Sequence, residues 1–327
     1  MPMPELIAML RSLVFLMLCS AWPSVQAANA NTELQRDLAA GGRAQQAGQY
    51  KQAYALYAKH AGRSPLAQFY VGLMHQNGWG RDADPVLACR WFERAARGGI
   101  PKAQDLFGNC LAKGMGGPVD VPAAMAWYQK AADAGHLLSL CTMGERYLQG
   151  DGVAQDRTLG LALYQQAAQS GVPAAMLRLA EYYRLGTDPA TDLPLARQYY
   201  QYAAERGLAE AQYWLGIMLG EGRGGEPDRA RALFWLEEAA SAGYAPAYFP
   251  TALLYAHAPK EAATGALAAS DLAKVYVWNA AAKARAGDAS QRQAIEALEA
   301  LVLKHMPETW RPELDGKVAE HLALFPL

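Results

Sequence analysis

The chain has 327 residues, of which 52% are hydrophobic and 19% are charged, so it has enough apolar side chains to bury a core and is not a disordered chain. Its 30 Lys and Arg residues nearly balance its 31 Asp and Glu residues, which gives a net charge of -1 at pH 7. This balance excludes a nucleic-acid binder that relies on a basic surface, and also a polybasic membrane tether.

The first segment in chain order has the pattern of an export signal. Arg11 precedes an apolar run that ends near Trp22, and small residues up to Ala27 form a cleavage site. The apolar run is too short to cross a bilayer, and no other stretch approaches 18 consecutive apolar residues. We therefore predict a signal peptide over residues 1–27 and a soluble mature protein, without a membrane span, in the periplasm or the medium.

Residues 28–66 are predicted to form an N-terminal helical hairpin that caps the fold. Residues 47–61 read Ala-Gly-Gln-Tyr-Lys-Gln-Ala-Tyr-Ala-Leu-Tyr-Ala-Lys-His-Ala. This run resembles a tetratricopeptide hairpin.

From residue 67 the chain matches itself at a period of 36 residues. The five units are 67–102, 103–138, 139–174, 175–210 and 211–246. The two glycine columns contain Gly78, Gly114, Gly150, Gly186 and Gly222, and Gly99, Gly135, Gly171, Gly207 and Gly243. An aspartate column contains Asp84, Asp120, Asp156, Asp192 and Asp228.

Each column has a structural interpretation, which the first unit illustrates. A small residue such as Gly72 lets a neighbouring helix approach closely. The first helix ends at Gly78, a position that tolerates positive φ, and Asp84 caps the second helix. The second helix buries an Ala-Ala pair and stops at Gly99. The columns therefore predict a helix-turn-helix unit repeated five times.

The last complete unit carries the fullest pattern. It contains Ala211, Leu215, Gly216, Gly222 and Gly224 in the order Ala-x-x-x-Leu-Gly, then Gly-x-Gly. This pattern closely resembles the Sel1-like repeat, a relative of the tetratricopeptide repeat. The resemblance implies an all-α fold, a right-handed α-solenoid of helix-turn-helix repeats.

The C-terminal part follows the repeat less closely. Residues 247–287 are predicted to form a degenerate sixth repeat with a longer, Ala-rich loop. Residues 288–327 are predicted to form two capping helices, because the last unit of a solenoid otherwise exposes an apolar face. The first of these has an apolar stripe of Ile295, Leu298, Leu301 and Val302.

The sequence contains no catalytic motif of the common hydrolase, nucleotide-binding or zinc types. Its six histidines are not spaced as metal ligands on one helix face. We therefore predict no catalytic residues, no metal site and no cofactor. His75, which replaces a tyrosine of other units, is interpreted as a packed core residue.

With Cys19 in the signal peptide, three cysteines remain. Cys89 and Cys110 lie ten and eleven residues on either side of Gly99, so the turn there brings them to the same level of two antiparallel helices. The sequence leaves open a disulfide, two buried thiols or another arrangement. Secreted cysteine-rich relatives of this repeat join adjacent units by disulfides nearer the turn. Cys141 is expected to be a buried structural thiol.

The first helices of such a solenoid usually line its concave face. Three places before the small column, the candidate protein-binding residues are Phe69, Asp105, Leu177, Tyr213 and Phe249. Aromatic side chains at such positions anchor interfaces, although they equally suit packing between repeats. A cluster of Tyr182, Tyr199, Tyr200 and Tyr202 is a second candidate.

The resemblance implies a function in protein binding. The leading hypothesis is a non-enzymatic periplasmic scaffold or adaptor, which binds a protein or peptide partner in an envelope-associated complex. The alternative is a small-molecule binding protein or hydrolase, because cysteine-rich relatives are linked to β-lactams. It requires a nucleophile beside a base, and the sequence shows no such pair.

Overall fold

The computed structural model describes residues 31–186, 191–262, 265–287 and 289–326. The predicted signal peptide and the middle of the fourth repeat's loop lie outside the described residues. The helices are α1 (31–46), α2 (Tyr50–His60), α3 (Pro65–Asn77), α4 (Pro85–Arg97), α5 (Pro101–Lys113), α6 (Val121–Asp133), α7 (Leu138–Gln149), α8 (Arg157–Gln169), α9 (Pro173–Leu185), α10 (Leu193–Ala204), α11 (Ala209–Glu221), α12 (Arg229–Ser241), α13 (Tyr248–Ala256), α14 (Ala269–Arg285), α15 (Ala289–His305) and α16 (Arg311–Leu324).

These helices alternate as first and second helices of successive hairpins, and no β-strand occurs in the described residues. The predicted all-α solenoid of helix-turn-helix repeats is therefore confirmed. The chain divides into two compact units, Met1–Arg157 and Thr158–Leu327.

The helix boundaries follow from the residues in the repeated columns. The Asp84 carboxylate caps α4 by accepting a hydrogen bond of 2.9 Å from the Leu87 amide, and Asp120, Asp192 and Asp228 cap their helices in the same way. Gly78 ends α3 at a φ of 68°. Gly186 is the exception in its column, because its φ of -51° and ψ of 135° end α9 without a left-handed residue.

In the N-terminal unit, the small residues of the first helices lie against rings of the second helices. A Cβ atom on Gly108 of α5 would lie only 2.6 Å from Cε1 of Tyr128 on α6. Tyr128 is fully buried, and its hydroxyl donates a hydrogen bond of 2.9 Å to the Asn109 amide oxygen. The glycine therefore sets the distance between the two helices of the repeat.

In the C-terminal unit, the core extends from α12 through α14 into the two capping helices. Ile295, Leu298 and Val302 of α15 are buried there, as the apolar stripe predicts. Leu301 differs from the prediction, because 60% of its side chain is exposed. The ring of His321 on α16 packs edge-on against Tyr248 and Trp278, which closes the end of the stack.

Candidate functional site

The structure places the candidate residues of the first helices in two kinds of environment. Four large apolar side chains are partly buried and partly exposed: Phe69, Leu177, Tyr213 and Phe249. Asp105 is only 4% exposed. Phe69 and Asp105 belong to the N-terminal unit and the other three to the C-terminal unit.

Phe69 of α3 contributes to packing as well as to the surface. Its ring centroid lies 6.3 Å from that of Phe92 on α4 and 5.5 Å from that of Tyr70. It also packs against the buried Ala95 and Ala103, which belong to consecutive repeats. Part of this ring therefore holds two repeats together, and the remaining part is exposed to solvent.

Tyr213 of α11 lies in an aromatic group with Trp214 and Tyr244. The ring centroids of Tyr213 and Trp214 are 5.0 Å apart, and those of Tyr213 and Tyr244 are 5.5 Å apart. Burial raises the pKa of Tyr213, and it raises that of Tyr244 to about 12. Both phenols are therefore neutral at physiological pH, so this group consists of uncharged rings and hydroxyl groups.

Arg184 fixes the other side of this aromatic group. Its guanidinium carbon lies 3.8 Å from the Trp214 ring centroid, and its Nε donates a hydrogen bond of 2.8 Å to the Tyr200 hydroxyl. Stacking of this kind holds both the cation and the ring in one orientation. Trp214, Tyr244 and Arg184 were not candidates from the sequence. The aromatic character of Trp214 and Tyr244 is the one sequence feature that could have indicated this group. Arg184 could not be found in this way, because it is not one repeat period away from either residue.

Of the second tyrosine candidate, Tyr199 stacks on Tyr183 at 5.9 Å, and Tyr202 is 39% exposed. Tyr200 is fully buried, and burial raises its pKa to about 12. Tyr182 lies edge-on to Tyr183 at 5.5 Å. The tyrosines thus divide between core and surface.

Asp105 joins two repeats instead of facing solvent. It accepts a hydrogen bond of 2.8 Å from the Ser139 hydroxyl of α7 and one of 3.0 Å from the Lys102 ammonium. His136 Nδ1 lies 3.0 Å from the same Ser139 oxygen. A partner protein could reach this carboxylate only by separating α5 from α7.

Ser139, His136 and Asp105 have the residue types of a catalytic triad, but the hydrogen bonds between them run in a different order. The Ser139 hydroxyl donates a hydrogen bond to Asp105, so its oxygen is left to accept one from the Nδ1–H group of His136. An activated serine requires the reverse, a histidine nitrogen that accepts the hydroxyl proton. Ser139 is also fully buried, and burial lowers the pKa of His136 although Asp105 opposes this. The cluster therefore serves to connect repeats.

The structure joins Cys89 of α4 to Cys110 of α5 by a disulfide, with the two Cα atoms 5.8 Å apart. Both residues are buried beside Phe92, and the bridge links consecutive repeats. Cys141 lies outside this pair and is partly buried.

His75 is buried in the N-terminal unit, with 1% of its surface exposed and its ring edge-on to Tyr54. Burial, with a smaller effect of Arg81, lowers its pKa. In residues 31–186, 191–262, 265–287 and 289–326, no group of three or more His, Cys, Asp or Glu side chains is arranged to hold a metal ion.

Comparison with known families identifies the repeat. The family model for the Sel1 repeat matches five consecutive segments that together make up more than half of the chain: residues 65–100, 101–136, 138–172, 173–208 and 209–244. The chain belongs to the Sel1 repeat family. Sel1 repeats generally mediate protein interactions.

Two of the crystal structures that are similar to this chain have known repeat folds of the same type. A Sel1 repeat protein from Oxalobacter formigenes is 30% identical, with 76% of this chain and all of that chain covered, at a TM-score of 0.61. The protective antigen c5321 of uropathogenic Escherichia coli, which has the same type of repeat fold, is 27% identical at a TM-score of 0.59. That alignment covers 89% of this chain and 60% of the antigen.

None of the curated proteins matches the chain. Where the structure describes the chain, no helix has the length and apolar character needed to cross a membrane.

Proposed function

We propose that this protein is a non-enzymatic scaffold of the bacterial periplasm, which binds a protein or peptide partner along the concave face of its first helices. The general role of Sel1 repeats in protein interactions supports the binding function. The signal-peptide pattern of residues 1–27 supports the location. The order of donors around Ser139 argues against this buried serine as an acyl-transfer nucleophile.

The observation that carries the proposal is the partial exposure of large apolar side chains at one repeated position of the first helices. Phe69, Leu177, Tyr213 and Phe249 each leave part of an apolar surface uncovered. Partly fixed aromatic and leucine side chains gain buried area on binding at a small cost in side-chain entropy, which is why such residues anchor interfaces.

The test is crosslinking of the tagged, exported protein in cells, followed by purification and mass spectrometry. Leu177→Glu places a charge at the repeated position of α9 and should abolish recovery of the partner. The matched control is Phe234→Glu on α12, a second helix, where the side chain is 54% exposed. Circular dichroism of both variants checks that they fold. Equal recovery from Leu177→Glu and the unchanged protein, or equal loss in both variants, would rule out binding by this face.

The location has a separate test. We expect cell fractionation to recover the protein with the periplasmic contents, and N-terminal sequencing to begin at Ala28. A protein that retains residues 1–27 in the cytoplasm would contradict the proposed compartment without affecting the binding surface.

The small-molecule alternative is tested with a fluorescent penicillin. We expect no covalent adduct on the folded protein. A stoichiometric adduct whose formation is prevented by unlabelled β-lactam would instead show an acylated nucleophile. That result would overturn the non-enzymatic proposal.

A further inference from the structure

Helix α15, which lies beyond the matched repeats, contains an exposed leucine, Leu301, whose neighbours are also apolar. Leu301 lies on α15 between the buried Leu298 and Val302, yet 60% of it is exposed. An exposed leucine on its own is common on protein surfaces. Leu301 is different because it forms one wall of a cleft.

This cleft has a volume of about 690 Å³ and is partly open to solvent. It lies between the end of α13, the start of α14 and the last turns of α15. Its walls are mainly apolar, and the large side chains are Leu267, Leu272, Leu298, Leu301 and Trp310. Clefts that bind small molecules are mostly apolar and measure roughly 300–1,000 Å³. The size and lining therefore fit a small apolar ligand.

The polar groups of the cleft are Lys260, Glu261 and His305. Within the described residues, the Lys260 ammonium and the His305 ring make no ion pair or hydrogen bond with a protein group. Glu261 already has a partner of its own. A cation without a partner at the edge of an apolar cleft is complementary to an anionic headgroup.

We propose that this cleft binds a single-chain amphiphile with an anionic headgroup, such as a long-chain carboxylate. The hydrocarbon chain lies against Leu301, Leu272 and Trp310, where it covers apolar surface. The carboxylate lies at Lys260, with His305 beside it. This site is separate from the proposed protein-binding face, because none of Phe69, Leu177, Tyr213 and Phe249 lines the cleft.

The experiment is calorimetric titration of the mature protein with dodecanoate and, separately, with dodecanol, both as monomers in solution. We expect saturable binding of one dodecanoate per chain. Leu301→Gln should weaken binding of both ligands about tenfold or more, because it removes one leucine's worth of apolar contact. Leu303→Gln is the matched control, since Leu303 is 36% exposed on the same helix and does not line the cleft.

The headgroup has its own control. Lys260→Gln should weaken dodecanoate binding about fivefold, as expected for an exposed ion pair, and leave dodecanol unchanged. Lys304→Gln, outside the cleft, should change neither ligand.

Three results of the titrations would overturn the proposal. They are no saturable binding of dodecanoate, equal affinities of the Leu301 and Leu303 variants, or an unchanged dodecanoate affinity in Lys260→Gln. Dimerisation that Leu301→Gln abolishes, in the absence of any ligand binding, would identify a second copy of the chain as the occupant and would also overturn it.

Discussion

Replacement of Gly216 by alanine tests whether close helix contact, and not helix propensity, selects the small residue in each repeat. A Cβ atom at Gly216 would lie 2.6 Å from Cγ of Leu236 and 3.1 Å from the Ala232 carbonyl oxygen. Ordinary contacts of a Cβ atom begin near 3.4 Å. Leu236 is 2% exposed, and its Cγ is a branch point, so the side chain cannot simply turn away.

The expected change in unfolding free energy is the sum of two opposing effects. Overpacking a core by one methyl group costs about 1–3 kcal/mol, while alanine in place of glycine within a helix gains up to about 1 kcal/mol. The matched control is Gly220→Ala on the same helix, where the new Cβ atom meets only the Ala232 Cβ at 3.6 Å. The control has the propensity gain without the overlap. The two variants should therefore differ in unfolding free energy by about 1–3 kcal/mol, with Gly216→Ala less stable.

The assay is thermal unfolding of both variants side by side, followed by circular dichroism. For a body the size of Thr158–Leu327, this difference corresponds to melting temperatures roughly 2–12 °C apart. Ala180 holds the equivalent position in the fourth repeat and is fully buried, so the spacing there accommodates a methyl group. A Gly216→Ala variant as stable as Gly220→Ala would refute the predicted overlap with Leu236. It would show that α11 can move to make room for a methyl group, as the spacing at Ala180 already does.

Three further predictions follow from single features. Gly135 has a φ of 93°, so Gly135→Val should lower the unfolding free energy of the protein by a few kcal/mol. In the same denaturant titration, Ala134→Val at the neighbouring residue should lower it by well under 1 kcal/mol. Cys89→Ser should lower stability by about 3 kcal/mol, because the disulfide to Cys110 closes a loop of 21 residues; reductant should lower the melting temperature of the unchanged protein but not of the variant. Because burial lowers the pKa of His75, the unfolded chain binds its proton first, so stability should fall as pH drops below about 6.5; His75→Leu should show a smaller melting shift between pH 8 and pH 5.

The sequence predicts the repeats well because their determinants are local. Asp84 caps a helix that starts at the next residue, and Gly135 takes a positive φ in a turn of a few residues. Such preferences depend on the backbone of neighbouring residues, and a period of 36 residues presents each preference several times. Gly186 shows the limit, since it keeps the residue type of its column without the left-handed backbone.

The candidate site was less predictable because its determinants join residues far apart in the chain. Asp105 has the spacing of a surface position, but Ser139, 34 residues later, donates a hydrogen bond to it and buries it between repeats. Arg184 stacks on Trp214 across the boundary between two repeats. Pairings of this kind depend on how neighbouring repeats pack, and a column of one residue type does not contain that information.

The capping region is where local pattern and tertiary packing separate most clearly. Ile295, Leu298, Leu301 and Val302 have one helical periodicity, yet the core accepts three of them and leaves Leu301 exposed. Within the repeats, the Ala-Ala pair of every second helix is buried, so periodicity and burial agree there. At the end of the stack, α15 lies across the cleft from Leu267 and the start of α14, which belong to none of the matched repeats. A cleft forms where the two surfaces do not match, which is why a ligand site is more readily accommodated there than between regular repeats.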